Sequence, residues 1–206
     1  MSKVVIAGNA SGTGVYTLEA PNGNTDRTLV LPDEAGTIIT TAGVPASAMP
    51  AGSVIQVVHI DYSTPSSFTV PSNIEESVAT GLTASITPVS TNSKIYVLCS
   101  ANMSPTDTAT VVKGLVQRTG DSTSNSTLSG SINNSSWSSV VYDDATNFMY
   151  PNTTILWLDS PNTTSQTTYT FRIGGNTPSA FVKLNEQQNY VGWGGVSYIT
   201  LMEIAG

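Results

Sequence analysis

The sequence predicts an all-β protein: an antiparallel β-sandwich or jelly-roll knob with a short N-terminal β segment. Two observations lead to this prediction. Only 10% of the 206 residues are charged, and Ser, Thr and Asn, which suit turns and strand edges better than helices, take the place of Lys and Glu. In addition, short apolar segments with the alternation typical of strands recur between clusters of Gly, Pro, Asn and Ser.

The first 40 residues form a segment of their own. Short strands are expected at residues 4–7, 15–20, 28–31 and 37–40, separated by turns that include an Asn-Gly pair at Asn22 and Gly23. One copy of this segment would hardly bury a core, whereas three copies wound together could, so the pattern favours an intertwined homotrimer. Residues 41–52, rich in Ala, Gly and Pro, are the expected linker.

Residues 53–206 are the expected β-sandwich knob. Strands are predicted at residues 53–60, 68–70, 83–86, 94–101, 109–118, 138–142, 154–159, 167–173, 180–184 and 196–204. About ten short strands with turn signals between them are typical of a sandwich or a jelly roll. Residues 119–136, mostly Ser, Asn, Thr and Gly, are expected to form a long exposed loop.

Residues 154–173 carry the clearest strand pattern and predict a hairpin, two strands joined by a polar turn at 160–166. The second strand alternates apolar and polar residues, so one of its faces enters a core. The first strand is apolar on both faces, with Trp157 on one and Leu156 and Leu158 on the other. Such a strand must be covered on both sides. We expect Trp157 in the sandwich core, and Leu156 and Leu158 at a trimer interface.

The charge distribution excludes two classes of partner. The net charge is −7 and the seven Lys and Arg residues are scattered along the chain. Binding a nucleic acid or an anionic membrane surface needs a concentrated positive patch, so neither partner is expected. No run approaches the 18 apolar residues of a membrane span, so no membrane insertion is expected, and the start of the sequence does not read as a signal peptide.

Catalytic residue types are scarce. Cys99 lies in an apolar run and is expected to be a small buried hydrophobe. His59 and Asp61 are two apart in a strand and share a face, but the pair lacks a nucleophile elbow, so a half-exposed strand pair is the expectation. The Gly8–Gly14 stretch lacks phosphate-loop spacing. No zinc spacing occurs. The sequence therefore predicts no enzyme, no cofactor and no metal.

Aromatic residues near polar loops are the remaining candidates for ligand contact. An aromatic ring flanked by Asn, Asp and Ser can stack on a sugar, although most such rings fill cores or subunit interfaces. The candidate receptor contacts are Trp137, Tyr142 and Tyr150. Trp137, inside the stretch Asn-Asn-Ser-Ser-Trp-Ser-Ser, is the first to test.

Residues 17–40 contain the run Leu-Pro-Asp-Glu-Ala-Gly-Thr-Ile after a short strand, and this pattern resembles a β repeat of tail-fibre-like proteins from marine bacteriophages. Residues 52–58, 83–97, 158–169 and 199–205 are similar to the globular tip domain of such fibres. The resemblance covers most of the chain except residues 119–150. It implies a trimeric β knob on the virion surface, with attachment and assembly as its role and no reaction.

Two placements on the virion follow from this resemblance. In the first, the chain is a short trimeric tail fibre or spike whose knob contacts a glycan or protein of the host surface. In the second, it is a trimeric head fibre or capsid decoration protein, which the short N-terminal part favours. In both, residues 1–50 dock on other virion proteins. A glycan depolymerase is the third and least favoured hypothesis.

Overall fold

The computed structural model describes residues 11–15, 17, 22–26, 28, 44, 48–70, 77–105, 110–119, 138–142, 152–175, 181–186 and 194–206. By compactness the chain divides into Met1–Ile38 and Ile39–Gly206. The strands predicted at residues 4–40 and the loop predicted at 119–136 lie outside the described residues, apart from isolated positions. The division into docking segment, linker and knob stays a prediction.

Ten strands occupy the described part of the second unit, and every pairing between them is antiparallel. They are β1 Val54–Tyr62, β2 Ser66–Thr69, β3 Val78–Ile86, β4 Lys94–Pro105, β5 Thr110–Thr119, β6 Ser138–Tyr142, β7 Asn152–Asp159, β8 Thr167–Gly175, β9 Phe181–Leu184 and β10 Ser197–Ile204. Each of the ten predicted strands overlaps one of them, so the all-β prediction is confirmed.

The strands pair in a nested order. β1 pairs with β10, β2 with β9, β3 with β8, β4 with β7, and β5 with β6. The first half of the unit therefore folds back along the second half like one long hairpin. Wrapping such a hairpin around a core brings β10 beside β4 and β5 beside β8.

This wrapping produces two sheets of a jelly roll. One sheet has the order β1-β10-β4-β7, and it is extended past the end of β10 by β9 and β2, with β9 pairing the last residues of β4. The other has the order β3-β8-β5-β6. The predicted sandwich or jelly-roll architecture is confirmed, and the homotrimer stays a prediction.

The predicted hairpin at residues 154–173 is wrong in one respect. Both strands exist, but β7 pairs with β4 in one sheet while β8 pairs with β3 and β5 in the other. The polar connection between them crosses from sheet to sheet instead of making a tight turn within one sheet. The reason is that each strand finds its partner far along the chain, and local turn chemistry does not select that partner.

The core lies between the two sheets and consists of residues on alternate positions of their strands. In β4, Ile95, Val97 and Cys99 are fully buried. From the facing sheet, Tyr169 and Phe171 of β8 are also fully buried. Burying each such side chain stabilises the fold by about 1.5–3 kcal/mol. The expectation that Cys99 is a buried hydrophobe is confirmed, and burial raises the pKa of its thiol to about 12.

The residues just before β1 and just after β10 lie side by side. The Gly52 amide donates to the Ala205 carbonyl at 2.8 Å, and the Ala205 amide donates to the Ser53 carbonyl at 2.8 Å. Gly52 has a φ of 87°, a left-handed conformation that favours glycine. This pair of bonds fixes where the chain enters β1 and leaves β10.

Candidate interaction surface

The sheet β1-β10-β4-β7 has one side against the core, and its other side is here called the outer face. Successive residues of a strand point to opposite sides of a sheet, and the burial pattern separates the two sets. In β4, Tyr96 and Leu98 alternate with buried residues and are half-buried. In β7, Ile155 is buried whereas Leu156 is 57% exposed and Leu158 46% exposed.

Strand register arranges the outward residues in rows that cross all four strands. One complete row consists of Val57, Met202, Tyr96 and Leu158. In the adjacent row, Leu98 lies beside Leu156. In the row on the other side of the complete row, Val54 lies beside Ile204, and a register shift between Val54 and Gln56 places Val54 on the same face as Val57. These residues form one contiguous group, here called the apolar patch: Val54, Val57, Tyr96, Leu98, Leu156, Leu158, Met202 and Ile204.

The residues of the apolar patch on the two edge strands, β1 and β7, are about half exposed to solvent. Val54 is 48% exposed and Val57 56% exposed on β1. This strand forms one edge of the sheet, and β7, with Leu156 and Leu158, forms the other edge. Single exposed apolar residues are common on protein surfaces, whereas a contiguous group of them marks an interaction site. The patch is therefore the first candidate for a functional surface.

The outward side of the other sheet is built differently. There Thr83 and Thr170 hydrogen-bond through their hydroxyls at 2.9 Å, and Ser85 and Thr168 do so at 2.8 Å. Cross-strand hydroxyl pairs of this kind stabilise a sheet while its surface stays in water. Along these β3 and β8 positions the outward side of the second sheet is therefore polar, in contrast to the apolar patch on the first sheet.

Polar side chains border the apolar patch along one end of the outer face, here called the polar margin: His59, Asp61, Ser100, Asn102, Asn152, Thr154, Tyr198 and Thr200. His59 and Asp61 share a face, as predicted, with 3.0 Å between His59 Nε2 and Asp61 Oδ1. His59 Nδ1 lies 2.7 Å from Thr200 Oγ1, its direct cross-strand partner. The His59 and Tyr198 rings lie 5.7 Å apart.

A carboxylate, an imidazole and a hydroxyl in sequence are the groups of a nucleophilic triad. Here, however, Thr200 is only 7% exposed, and its hydroxyl already bonds His59 on the neighbouring strand. The His59–Thr200 contact joins β1 to β10, and we assign it that structural role. Among the residues that the structure describes, no group of three or more His, Cys, Asp or Glu side chains is arranged to hold a metal ion.

Amide side chains fix the far corner of the polar margin. Asn152 Nδ2 donates to Asn102 Oδ1 at 3.1 Å, and the Ser100 hydroxyl donates to Asn152 Oδ1 at 2.6 Å. Asn102 Nδ2 in turn donates to the Val196 carbonyl at 2.8 Å. Because these amides are held from several sides, this corner presents a fixed pattern of polar groups.

A cleft of about 380 Å³ lies near the start of β1 and the end of β10, lined in part by Met49, Ile55, Val89 and Ser93. The Ser93 hydroxyl is buried and lacks a hydrogen-bond partner among the described residues. Beside it, the fully buried Glu203 accepts the Val89 amide at 2.8 Å. The lining combines apolar side chains with polar atoms, and it presents no cluster of chemically reactive groups within the described part of the chain.

The predicted site residues fall into two groups. Leu156 and Leu158 lie exposed on the outer face, and Trp157 packs against the core. Their role at a trimer interface stays a prediction. Trp137 and Tyr150 lie outside the described residues, as does the side chain of Tyr142, whose backbone ends β6. Receptor contact by these three residues therefore stays a prediction.

No protein-family model matches the sequence, and no curated protein matches it. No helix in the described ranges is long and apolar enough to cross a membrane.

Six residues of the apolar patch were not singled out from the sequence: Val54, Val57, Tyr96, Leu98, Met202 and Ile204. A signal for them existed. The segment at residues 94–101 is apolar at consecutive positions, as is the segment at 196–204, so both strands are apolar on both faces in the same way as β7. The sequence shows this property for each strand separately, but only the register shows that the three outward sides join.

Proposed function

We propose that this chain is a structural protein of a bacteriophage virion, whose copies associate into a homotrimer and whose knob, residues 53–206, lies at the particle surface. The observation that carries the proposal is the apolar patch, which gives the jelly roll a surface suited to assembly. The motif at residues 31–38, with its resemblance to phage tail-fibre-like proteins, supplies the context. In this role the protein attaches and assembles, and it performs no reaction.

The short tail fibre, with its knob in contact with a host glycan or protein, is the first form of this proposal. The head fibre or capsid decoration protein is its alternative. Both forms place residues 1–50 at the junction with other virion proteins. They differ in position on the particle, so an image of the particle separates them.

The proposal is tested with particles whose genome encodes this chain. Antibody against the recombinant knob, coupled to gold, is expected to label purified particles at the tail or on the head in electron micrographs. Antibody raised against an unrelated jelly-roll protein is the control for non-specific labelling. Absence of the chain from purified particles, by both labelling and mass spectrometry, would overturn the proposal.

The trimer is tested separately with the recombinant full chain. Native mass spectrometry and light scattering are expected to give three copies of the 21.5 kDa chain at micromolar concentration. A monomer at every concentration up to about 100 µM, well above the micromolar dissociation constants of weak specific complexes, would remove the trimer from the proposal.

A further inference from the structure

We infer that the apolar patch is the surface through which copies of this chain meet. The β1 side of the outer face in one copy packs against the β7 side in the next. This inference rests on the proposed function in one respect, since it takes the assembly to be a homotrimer. Beyond the trimer, it assigns the partner of the patch, a second copy of the chain, and the strands that meet, β1 and β7.

The charge of the chain favours a second copy at this surface. The net charge of −7 makes two copies repel each other wherever their charged surfaces approach. The apolar patch contains no carboxylate, ammonium, guanidinium or imidazole group. Lys94 borders it at one end and Asp61 lies in the polar margin at the other. Copies of the chain can therefore approach through this patch with little charge repulsion.

The dimensions of the outer face fit a subunit contact. Four strands about 4.8 Å apart, with outward residues about 6.7 Å apart along each strand, give roughly 600 Å² of projected area over five rows. The apolar patch covers roughly half of it. Side chains protrude, so the accessible area is larger than the projected area. In a closed trimer this face is shared between two neighbours, so each contact is smaller than the ~800 Å² that each partner contributes to a standard interface, and three such contacts together close the ring.

The arrangement of residue types matches the anatomy of such an interface. Its central part contains Leu, Val, Met and Tyr, and the polar margin contains Asn, Thr, His and Asp. Protein interfaces likewise have a charge-poor centre, enriched in Tyr and Met, inside a polar rim. A lipid surface is a poorer partner, because it would require basic residues along the margin, where Asp61 stands instead.

Threefold symmetry determines which halves of the face meet. In a closed ring of three copies, each face contacts two neighbours, one through its β1 side and the other through its β7 side. Val57 and Leu158 lie in the same row at these two sides. Val57 of one copy is therefore expected to lie against Leu158 of the next copy.

Cysteine crosslinking tests this pairing. The double variant Val57→Cys, Leu158→Cys, oxidised with copper phenanthroline, is expected to give a covalent trimer on a non-reducing gel, and each single variant is expected to stay uncrosslinked. Cys99 does not interfere, because it is buried and burial raises the pKa of its thiol to about 12, so it remains protonated and inaccessible. A covalent dimer as the largest product, or no crosslinked product, would overturn the inference.

Charge insertion provides an independent test. The variant Leu156→Asp, Leu158→Asp places two carboxylates in the patch at exposed positions that the single knob tolerates. We expect it to keep the circular dichroism spectrum of the wild type and to be monomeric by light scattering. The variant Ala79→Asp, Thr83→Asp adds the same two charges at exposed positions of β3 in the other sheet. It is the matched control and should remain trimeric.

The outcomes distinguish this inference from the proposed function. If the wild type is a trimer and the variant Leu156→Asp, Leu158→Asp is also a trimer, the assignment of the patch is wrong and the virion role is unaffected. A wild-type monomer overturns the trimer and this inference together. Absence of the chain from particles, with the trimer and its crosslink intact, overturns the virion role alone.

Discussion

At the scale of single residues, Asp159 connects three strands through one carboxylate. It ends β7, and its side chain is only 9% exposed. The Tyr169 hydroxyl, from β8, donates to Asp159 Oδ2 at 2.8 Å, and Arg118 Nη1, from β5, lies 3.1 Å from the same oxygen. The carboxylate thus belongs to one sheet while both of its donors belong to the other, so these bonds tie the sandwich together across its layers.

Replacing Asp159 is expected to cost more than removing one of its donors. Asp159→Ala leaves the nearly buried Arg118 guanidinium without its carboxylate, which costs about 3 kcal/mol in the free energy of unfolding. Tyr169→Phe removes one hydroxyl and costs about 1 kcal/mol. Urea denaturation of both variants at one protein concentration measures the difference. A larger loss for Tyr169→Phe would contradict the view of Asp159 as the common acceptor.

At the scale of elements, the connection from β7 to β8 decides how the two sheets are joined. Asn162 lies in it with a φ of 53°, and its Nδ2 donates to the Ser160 carbonyl at 3.1 Å. Asn tolerates the left-handed region better than most residues because its short side chain bonds locally. This residue therefore helps the chain to leave one sheet and enter the other.

Substitution of Asn162 is expected to depend on the backbone preference of the new residue. Asn162→Val places a β-branched side chain at positive φ and should lower the free energy of unfolding by about 1–3 kcal/mol. Asn162→Gly accepts this conformation without strain and should change stability by less than about 1 kcal/mol. Thermal melts of the two variants, recorded in parallel, check the order. Equal destabilisation would show that the side-chain bond matters more than the φ angle.

The strands could be predicted from the sequence because each depends on local alternation. The period of two at Tyr169, Phe171 and Ile173 predicts a strand with one buried face, and the structure confirms it. Sheet membership could not be predicted in this way. β7 and β8 look like neighbours in the sequence, but their partners are chosen by packing with β4, β3 and β5, and the polar turn between them is compatible with either arrangement.

The candidate surface was partly predictable for the same reason. The alternation in β7 separates Trp157 from Leu156 and Leu158, so the outward apolar residues of that strand could be named. The contribution of Tyr96 and Met202 depends on register between strands about 100 residues apart, and His59 meets Thr200 through the same kind of long-range pairing. Pairings at this distance leave no trace in a local pattern.

At the scale of the whole molecule, assembly and stability are linked by mass action. If three copies meet through the apolar patch, unfolding also separates them, so dilution favours the unfolded chains. The outer face then contributes to stability only in the trimer. The stability of a knob that associates in this way depends on protein concentration, whereas the stability of a monomeric knob does not.

The unfolding midpoint of the wild type is therefore expected to rise with protein concentration. A tenfold increase stabilises a trimer by about 2.8 kcal per mole of trimer, since two association steps each gain about 1.4 kcal/mol. Denaturant titrations between about 1 and 100 µM chain measure the shift. The variant Leu156→Asp, Leu158→Asp is expected to show no dependence, and a concentration-independent midpoint in the wild type would contradict trimeric assembly.

The nested pairing of strands also sets the order of events during synthesis. The innermost pair, β5 with β6, can form early, whereas β1 pairs, among the ten described strands, only with β10. His59 and Thr200 are 141 residues apart in sequence, which corresponds to roughly 7–30 s of translation at about 5–20 residues per second. Throughout that interval the edge of β1 that pairs with β10 stays open, so this sheet closes only after a long-range contact has formed, which is a slow step.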